Sequence, residues 1–255
     1  MMEALILGIV QGLTEFLPVS STAHLILFPW FFRWTGELDS LTFDIALHAG
    51  TLLALLVCFW RDWVDLFLRK RRLLAMILLA SVPAGVAGLL LNDIVEHSLR
   101  SPYLISVSLV VFGCVMLIAE TRSTGKSVEQ ISLMDALTIG IAQAIAILPG
   151  VSRSGITISA GLFRGVARES SARFSFLLST PVIAGATLLH AKKLAANPAD
   201  YHINLFLVGF IASAVTGFAA IRFLLSFFRR HPMNVFAYYR FVLAAVIIAG
   251  LWLRI

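Results

Sequence analysis

The chain has 255 residues, of which 59% are hydrophobic and only 13% charged, whereas an ordinary soluble domain carries about 25% charged residues. That excludes a soluble globular class and leaves an integral membrane protein. The formal charge of +6 would suggest nucleic acid if it lay on one surface, but the basic residues sit in short loops between apolar runs and act as orientation signals, so no nucleic-acid partner is expected.

The first predicted element is a hairpin over about residues 3–32, built around Gly8 to His24, GIVQGLTEFLPVSSTAH. If the run before Pro18 is helical, Gln11 and Glu15 are four apart and share a face. Pro18 stops that helix and pushes Leu17 toward an extended conformation. Ser20, Ser21 and Thr22 follow where a second helix would start, as natural caps beside free backbone N–H groups, which is a place for an anion. Glu3 stands where a signal peptide would have a basic start, and no clear small-residue cleavage site follows, so a removable leader is not expected.

Six apolar runs, about 42–60, 73–92, 103–119, 172–190, 203–226 and 235–254, approach or reach the roughly 20 residues that a bilayer demands. Between the third and fourth lies a second hairpin, 134–163, whose centre reads GIAQAIAILPGVSRS from Gly140 to Ser154. At constant offset Gly8, Ile9, Gln11, Val19 and Ser20 are matched by Gly140, Ile141, Gln143, Val151 and Ser152, an internal repeat in which Arg153 replaces Ser21. The pieces before Pro18 and Pro149 supply roughly 21 Å of helix each against a hydrocarbon core of about 30 Å. Neither crosses alone, and irregular backbone at that depth needs surrounding protein or a wet cavity, so both read as re-entrant.

Arg61, Arg69, Lys70, Arg71 and Arg72 place the end of the first span in the cytoplasm, as Arg122 and Lys126 do for the third and Arg229 and Arg230 for the fifth. Lys192 and Lys193 are the discordant pair, on the outer side. The first hairpin then enters from outside and the second from inside. The expected fold is an all-α integral membrane protein, a single membrane domain over 1–255 with six transmembrane helices plus two re-entrant helix hairpins in an inverted-topology repeat. Repeat one covers about 1–120 (hairpin 3–32 plus three spans) and repeat two about 132–255 (hairpin 134–163 plus three spans). Such repeats place their site near the midplane where the halves meet. Cys58 and Cys114 lie in apolar segments, as buried small hydrophobes rather than a disulfide or metal pair.

Glu15 in an apolar segment is costly, about 2.5 to 3.5 kcal/mol for Asp at a helix centre on insertion scales, which favours function over a protonated or capping acid. His24 lies three after Ser21 and shares its face, so the two could act as base and nucleophile, or His24 could simply pack. Arg153 wants a carboxylate or a phosphate; a pair with Glu15 is the structural alternative. Asp44 and His48 are four apart at the start of the first span and could support the site, but interfacial residues without a role are the simpler reading. Gly8, Gly12, Gly140 and Gly161 are expected to permit close helix packing.

These motifs resemble the undecaprenyl-diphosphate phosphatase family, also called the bacitracin-resistance protein. The likeness covers essentially the whole chain and rests on Gln11 to Glu15 followed by FLPVSSTAH, on PGVSRSGIT from Pro149 to Thr157, and on the family-like FDIALHAGTLLAL and ARFSFLLSTP. The resemblance implies hydrolysis of the terminal phosphate of a polyprenyl diphosphate lipid in the bacterial cell (inner) membrane, recycling the carrier for peptidoglycan synthesis and conferring bacitracin resistance. It implies a site open to the outer side and a divalent cation, Mg²⁺ or Ca²⁺, held by Glu15. Carried over by position, Ser21, His24, Glu15 and Arg153 become catalytic and Ser20, Thr22, Ser152, Ser154, Thr157 and Gln11 substrate-binding. Many members have Glu where Gln11 stands, which puts a two-carboxylate metal site in doubt. Membrane lipids are the expected surroundings, and a homodimer is left open as the oligomeric form. Two rival classes stay open: a transporter, which also uses inverted repeats with broken helices, and a structural membrane protein, which gives no reason for Glu15 and Arg153. Another lipid-phosphatase class, with a Lys and Arg-Pro motif, PSGH and a later Arg to His pair, lacks its motifs here.

Overall fold

The computed structural model describes the backbone of residues 1–122, 124–196 and 202–253, with side chains except at 37, 39, 41, 92–98 and 190–196. The described residues form helices: α1 (Met2–Phe16), α2 (Ser21–Phe32), α3 (Leu41–Cys58), α4 (Trp60–Leu68), α5 (Arg71–Ser98), α6 (Pro102–Glu120), α7 (Leu133–Ile145), α8 (Arg153–Phe163), α9 (Arg168–Ala196), α10 (Ile203–Phe228) and α11 (Asn234–Leu253). Five stretches are long and apolar enough to cross a membrane: Arg71–Leu91, Pro102–Glu120, Arg168–Leu189, Ile203–Phe228 and Asn234–Leu253. The α3–α4 pair passes the same test only jointly, bent by 67°, which makes five spans, or six if the pair is one. The bend falls at Phe59, whose φ of −109° and ψ of 19° break the helix. Helix α4 is a finding that the apolar pattern did not contain, because Arg61, Asp62 and Asp65 make it read as a loop.

Helices α1, α2, α7 and α8 have 15, 12, 13 and 11 residues, too short to cross a hydrocarbon core at about 1.5 Å per residue. Their packing is paired: α1 lies along α10 and α7 along α5, while α6 and α11 pair with each other. Small residues make the first two contacts close. A Cβ on Gly8 would sit 2.5 Å from Gly209 O, and one on Gly140 would sit 2.8 Å from Ala80 Cα. Gly12 meets Ser213 in the same way and Gly161 meets Ser171. In an apolar surround there is little hydrophobic force between helices, so backbone approach of this kind supplies the association. Leu89, Leu90, Val107 and Val215 are exposed on the long helices, as a lipid-facing surface requires. Cys58 and Cys114 are free, but Cys58 is only half-buried and Cys114 is exposed, since α6 turns Ile105, Leu109, Gly113 and Met116 inward instead.

The helix ends that carry the basic loops gather into one layer of ion pairs. Asp135, fully buried, accepts from Lys126 at 2.6 Å and Arg164 at 2.7 Å. Arg168 pairs with Glu120, Arg173 with Asp62, and Arg229 with Glu169. The side chains of Lys192 and Lys193 lie outside the described residues.

Candidate functional site

The two hairpin turns are built alike. After α1, Leu17 is extended at φ −65° and ψ 140°, as a residue before proline must be. Ser20 then adopts φ 75° and caps α2 by accepting from Ala23 N–H, and Ser152 adopts φ 70° and caps α8 by accepting from Gly155 N–H. Apart from Arg33, these are the only non-glycine residues with positive φ among the described ones. Such backbone costs of the order of 1–3 kcal/mol per residue and persists where the surroundings enforce it.

The turns touch each other. Ser154 Oγ donates to Leu17 O at 3.1 Å, and Arg153 Nη2 to Glu15 Oε1 at 2.5 Å. The other carboxylate oxygen, Oε2, accepts from Ser21 Oγ at 2.6 Å and from Gln11 Nε2 at 3.0 Å, with His48 Nε2 at 3.4 Å. Arg153 Nη1 is buried and has no partner among the described residues. These groups border a cavity of about 690 Å³ whose polar wall includes Glu15, Ser20, Ser21, Thr22, His48, Ser152 and Arg153. Its apolar wall comes from α5 and α9, including Gly85, Gly88, Leu89, Val182, Gly185 and Leu189. A carboxylate, a hydroxyl bonded to it and a half-used guanidinium beside two helix N-termini can bind an oxyanion and take a proton from the hydroxyl.

Four candidates from the motifs stand behind this wall. The structure does not bring His24 onto Ser21: its Nδ1 is 2.7 Å from Ser20 O, one turn back, and its Nε2 is 2.7 Å from Tyr239 OH on α11. Both ring nitrogens are engaged there, and the acceptor for Ser21 is Glu15. Thr157 is fully buried with Oγ1 2.7 Å from Arg153 O and 2.6 Å from Ser175 Oγ, so it joins α8 to α9 rather than lining the cavity. Ser154 fastens the turns, and Gln11 lies fully buried behind Glu15. None of the three lines the cavity.

One residue was read first as interfacial and another was missed. His48, allowed only as a possible support for the site, lines the cavity, with Nδ1 2.7 Å from the backbone carbonyl of Asp44 one turn back. Arg240 is fully buried on α11 and donates to Gly150 O at 2.6 Å, Val151 O at 3.0 Å, Leu109 O at 3.2 Å and Ser108 O at 3.3 Å. It ties the second turn to α6. A lone arginine inside an apolar run was legible from its insertion cost alone.

The donor set does not fit a resident divalent cation. Glu15 is the only carboxylate on the cavity wall among the described residues, and both its oxygens are engaged. No group of three His, Cys, Asp or Glu is gathered among those residues, whereas Ca²⁺ takes about 6–8 oxygen ligands and Mg²⁺ an octahedron.

A family model described as "Bacitracin resistance protein BacA" matches residues 4–246. Relatives named undecaprenyl-diphosphatase include those of Thermodesulfovibrio yellowstonii, 53% identical over 96% of this chain and 95% of theirs, and Moorella thermoacetica, 46% identical over 99% and 98%. A third, from Desulforudis audaxviator, is 48% identical over 99% of this chain and 98% of its own.

Proposed function

The chain belongs to the bacitracin resistance protein BacA family, and on that premise we propose that it is an undecaprenyl-diphosphate phosphatase of the bacterial cell membrane. It hydrolyses undecaprenyl diphosphate to the monophosphate and inorganic phosphate, returning the lipid carrier to cell-wall synthesis and lowering sensitivity to bacitracin. The single observation that carries the mechanism is the Ser21 Oγ to Glu15 Oε2 hydrogen bond of 2.6 Å, made while Arg153 holds Oε1.

In this reading the terminal phosphate takes Arg153 Nη1 and the N–H groups that open α2 and α8. Ser21 Oγ attacks phosphorus in line, its proton passes to Glu15 Oε2, and the bridging P–O bond breaks to release the lipid monophosphate. Water then attacks the phosphoserine, the Ser21 Oγ–P bond breaks as Glu15 returns its proton to Ser21 Oγ, and both water protons leave on the released inorganic phosphate. Direct attack by water with Glu15 as base uses the same groups. The divalent cation is proposed to arrive with the diphosphate rather than to reside on the protein, and no step here passes through it.

The polyprenyl tail is assigned to the apolar wall between α5 and α9, where a Cβ on Gly85, Gly88 or Gly185 would meet nothing within 4 Å. The proposed architecture is six spans and two re-entrant hairpins in an inverted repeat, with the site near the midplane and opening outward. The paired packing of α1 on α10 and α7 on α5 and the twin positive-φ serines support it.

The test is phosphate release from undecaprenyl diphosphate by the purified protein in detergent, with and without chelator. Release supports the enzyme. Exchange of the lipid across vesicles with no release would replace it by a transporter.

A further inference from the structure

His48 sits on the cavity wall and touches the one oxygen on which the reaction turns. Its Nδ1 lies 2.7 Å from Asp44 O, and because a carbonyl only accepts, Nδ1 carries a hydrogen and the ring is anchored to its own helix. Nε2 is thereby presented to Glu15 Oε2 at 3.4 Å, a contact that is attractive to a carboxylate only with a hydrogen on Nε2 as well.

Glu15 has an alternative that this contact opposes. Among the described residues its Oε1 accepts only from Nη2 of Arg153, and Nη1 of the same guanidinium is buried without a partner. A small rotation of the carboxylate would give a two-pronged pair with the guanidinium, which is the stronger geometry. That rotation would withdraw Oε2 from Ser21 and consume the N–H the phosphate needs. We infer that His48 is a positioning residue which, with Gln11, holds Glu15 Oε2 on Ser21 and keeps Arg153 from closing on the carboxylate.

This rests on the phosphatase reading, so the experiment has an arm that does not need turnover. In the first arm, phosphate release is measured for His48→Ala and His48→Gln. The alanine variant is expected to lose at least tenfold in kcat/KM, and the glutamine variant, which keeps a donor but not a titrating ring, to stay within about threefold of wild type. An alanine variant within threefold of wild type, or a glutamine variant as impaired as alanine, would overturn the inference. In the second arm, thermal melting in detergent is measured for His48→Ala with Glu15 intact and with Glu15→Gln. The loss in Tm should at least halve in the Glu15→Gln background, and equal losses would overturn the contact itself. A wild-type protein that releases no phosphate would sink the phosphatase reading, while the melting arm still decides whether His48 holds Glu15.

Discussion

Glu15 and Arg153 meet at 2.5 Å across 138 positions of sequence, so one charged pair closes the contact between the two hairpin turns. The guanidinium makes this contact with Nη2 and leaves Nη1 without a partner among the described residues, where the proposed function puts an oxyanion. Lysine has one compact ammonium and cannot serve a carboxylate and a phosphate from one planar fork. Arg153→Lys is expected to lose more than tenfold in kcat/KM, equivalent to about 1.4 kcal/mol of transition-state stabilisation or more, with its helical circular dichroism unchanged. Steady-state phosphate release checks it, and wild-type kinetics would mean that a plain positive charge suffices.

Ser20 and Ser21 are adjacent but not equivalent. Ser20 caps α2 and is mirrored by Ser152, whereas Ser21 donates to Glu15 and has Arg153 as its counterpart. Ser21→Ala is expected to retain less than a tenth of the wild-type rate. Ser20→Ala should mainly lose cap stability, about 0.5–2 kcal/mol, read as a lower Tm with most of kcat kept. Similar residual kcat in the two variants would remove Ser21 as nucleophile and leave water as the attacking group.

Much of this was legible because the membrane makes polar residues expensive. Glu15, Arg153 and the paired glycines stand out against apolar runs, and the structure brings Glu15 and Arg153 together and packs Gly8 against α10 and Gly140 against α5. Spacing alone misdirected the reading of His24: three residues from Ser21 puts it on the same helical surface, but the ring turns back to Ser20 O and out to Tyr239. Thr157 failed for a related reason, because a motif residue one turn beyond Arg153 faces α9 and not the cavity. His48 comes from a third helix, and no local pattern in the hairpins can announce a partner supplied by tertiary packing. Helix α4 was hidden by its charges.

Arg240 joins this list as a residue whose importance is structural. Its guanidinium satisfies Gly150 O and Val151 O in the turn that precedes Arg153, together with Ser108 O and Leu109 O. Arg240→Met keeps an unbranched apolar stem but leaves the turn carbonyls without this donor, each at a cost of about 1–3 kcal/mol. The expected outcome is a Tm several degrees lower in detergent, with activity falling in step as the second turn loosens. A melting curve that superimposes on wild type would show that water replaces the guanidinium there.

The tail assignment makes the last prediction. A diphosphate held at Arg153 is surrounded by protein on the hairpin side, so its hydrocarbon has to leave along the apolar wall between α5 and α9. Gly88 and Gly185 line that wall, and side chains at either position would meet no protein atom within 4 Å at the Cβ. Gly88→Leu and Gly185→Leu should therefore fold normally, with helix propensity improved by up to about 1 kcal/mol, while obstructing the tail. The lipid surround gives the tail little to gain from one apolar surface over another, so the effect is steric and should scale with chain length. At least a tenfold fall in kcat/KM is expected for undecaprenyl diphosphate, against less than threefold for short-tailed farnesyl diphosphate. Equal losses on both substrates would place the damage in the phosphate site, and no loss on either would send the tail out by another route.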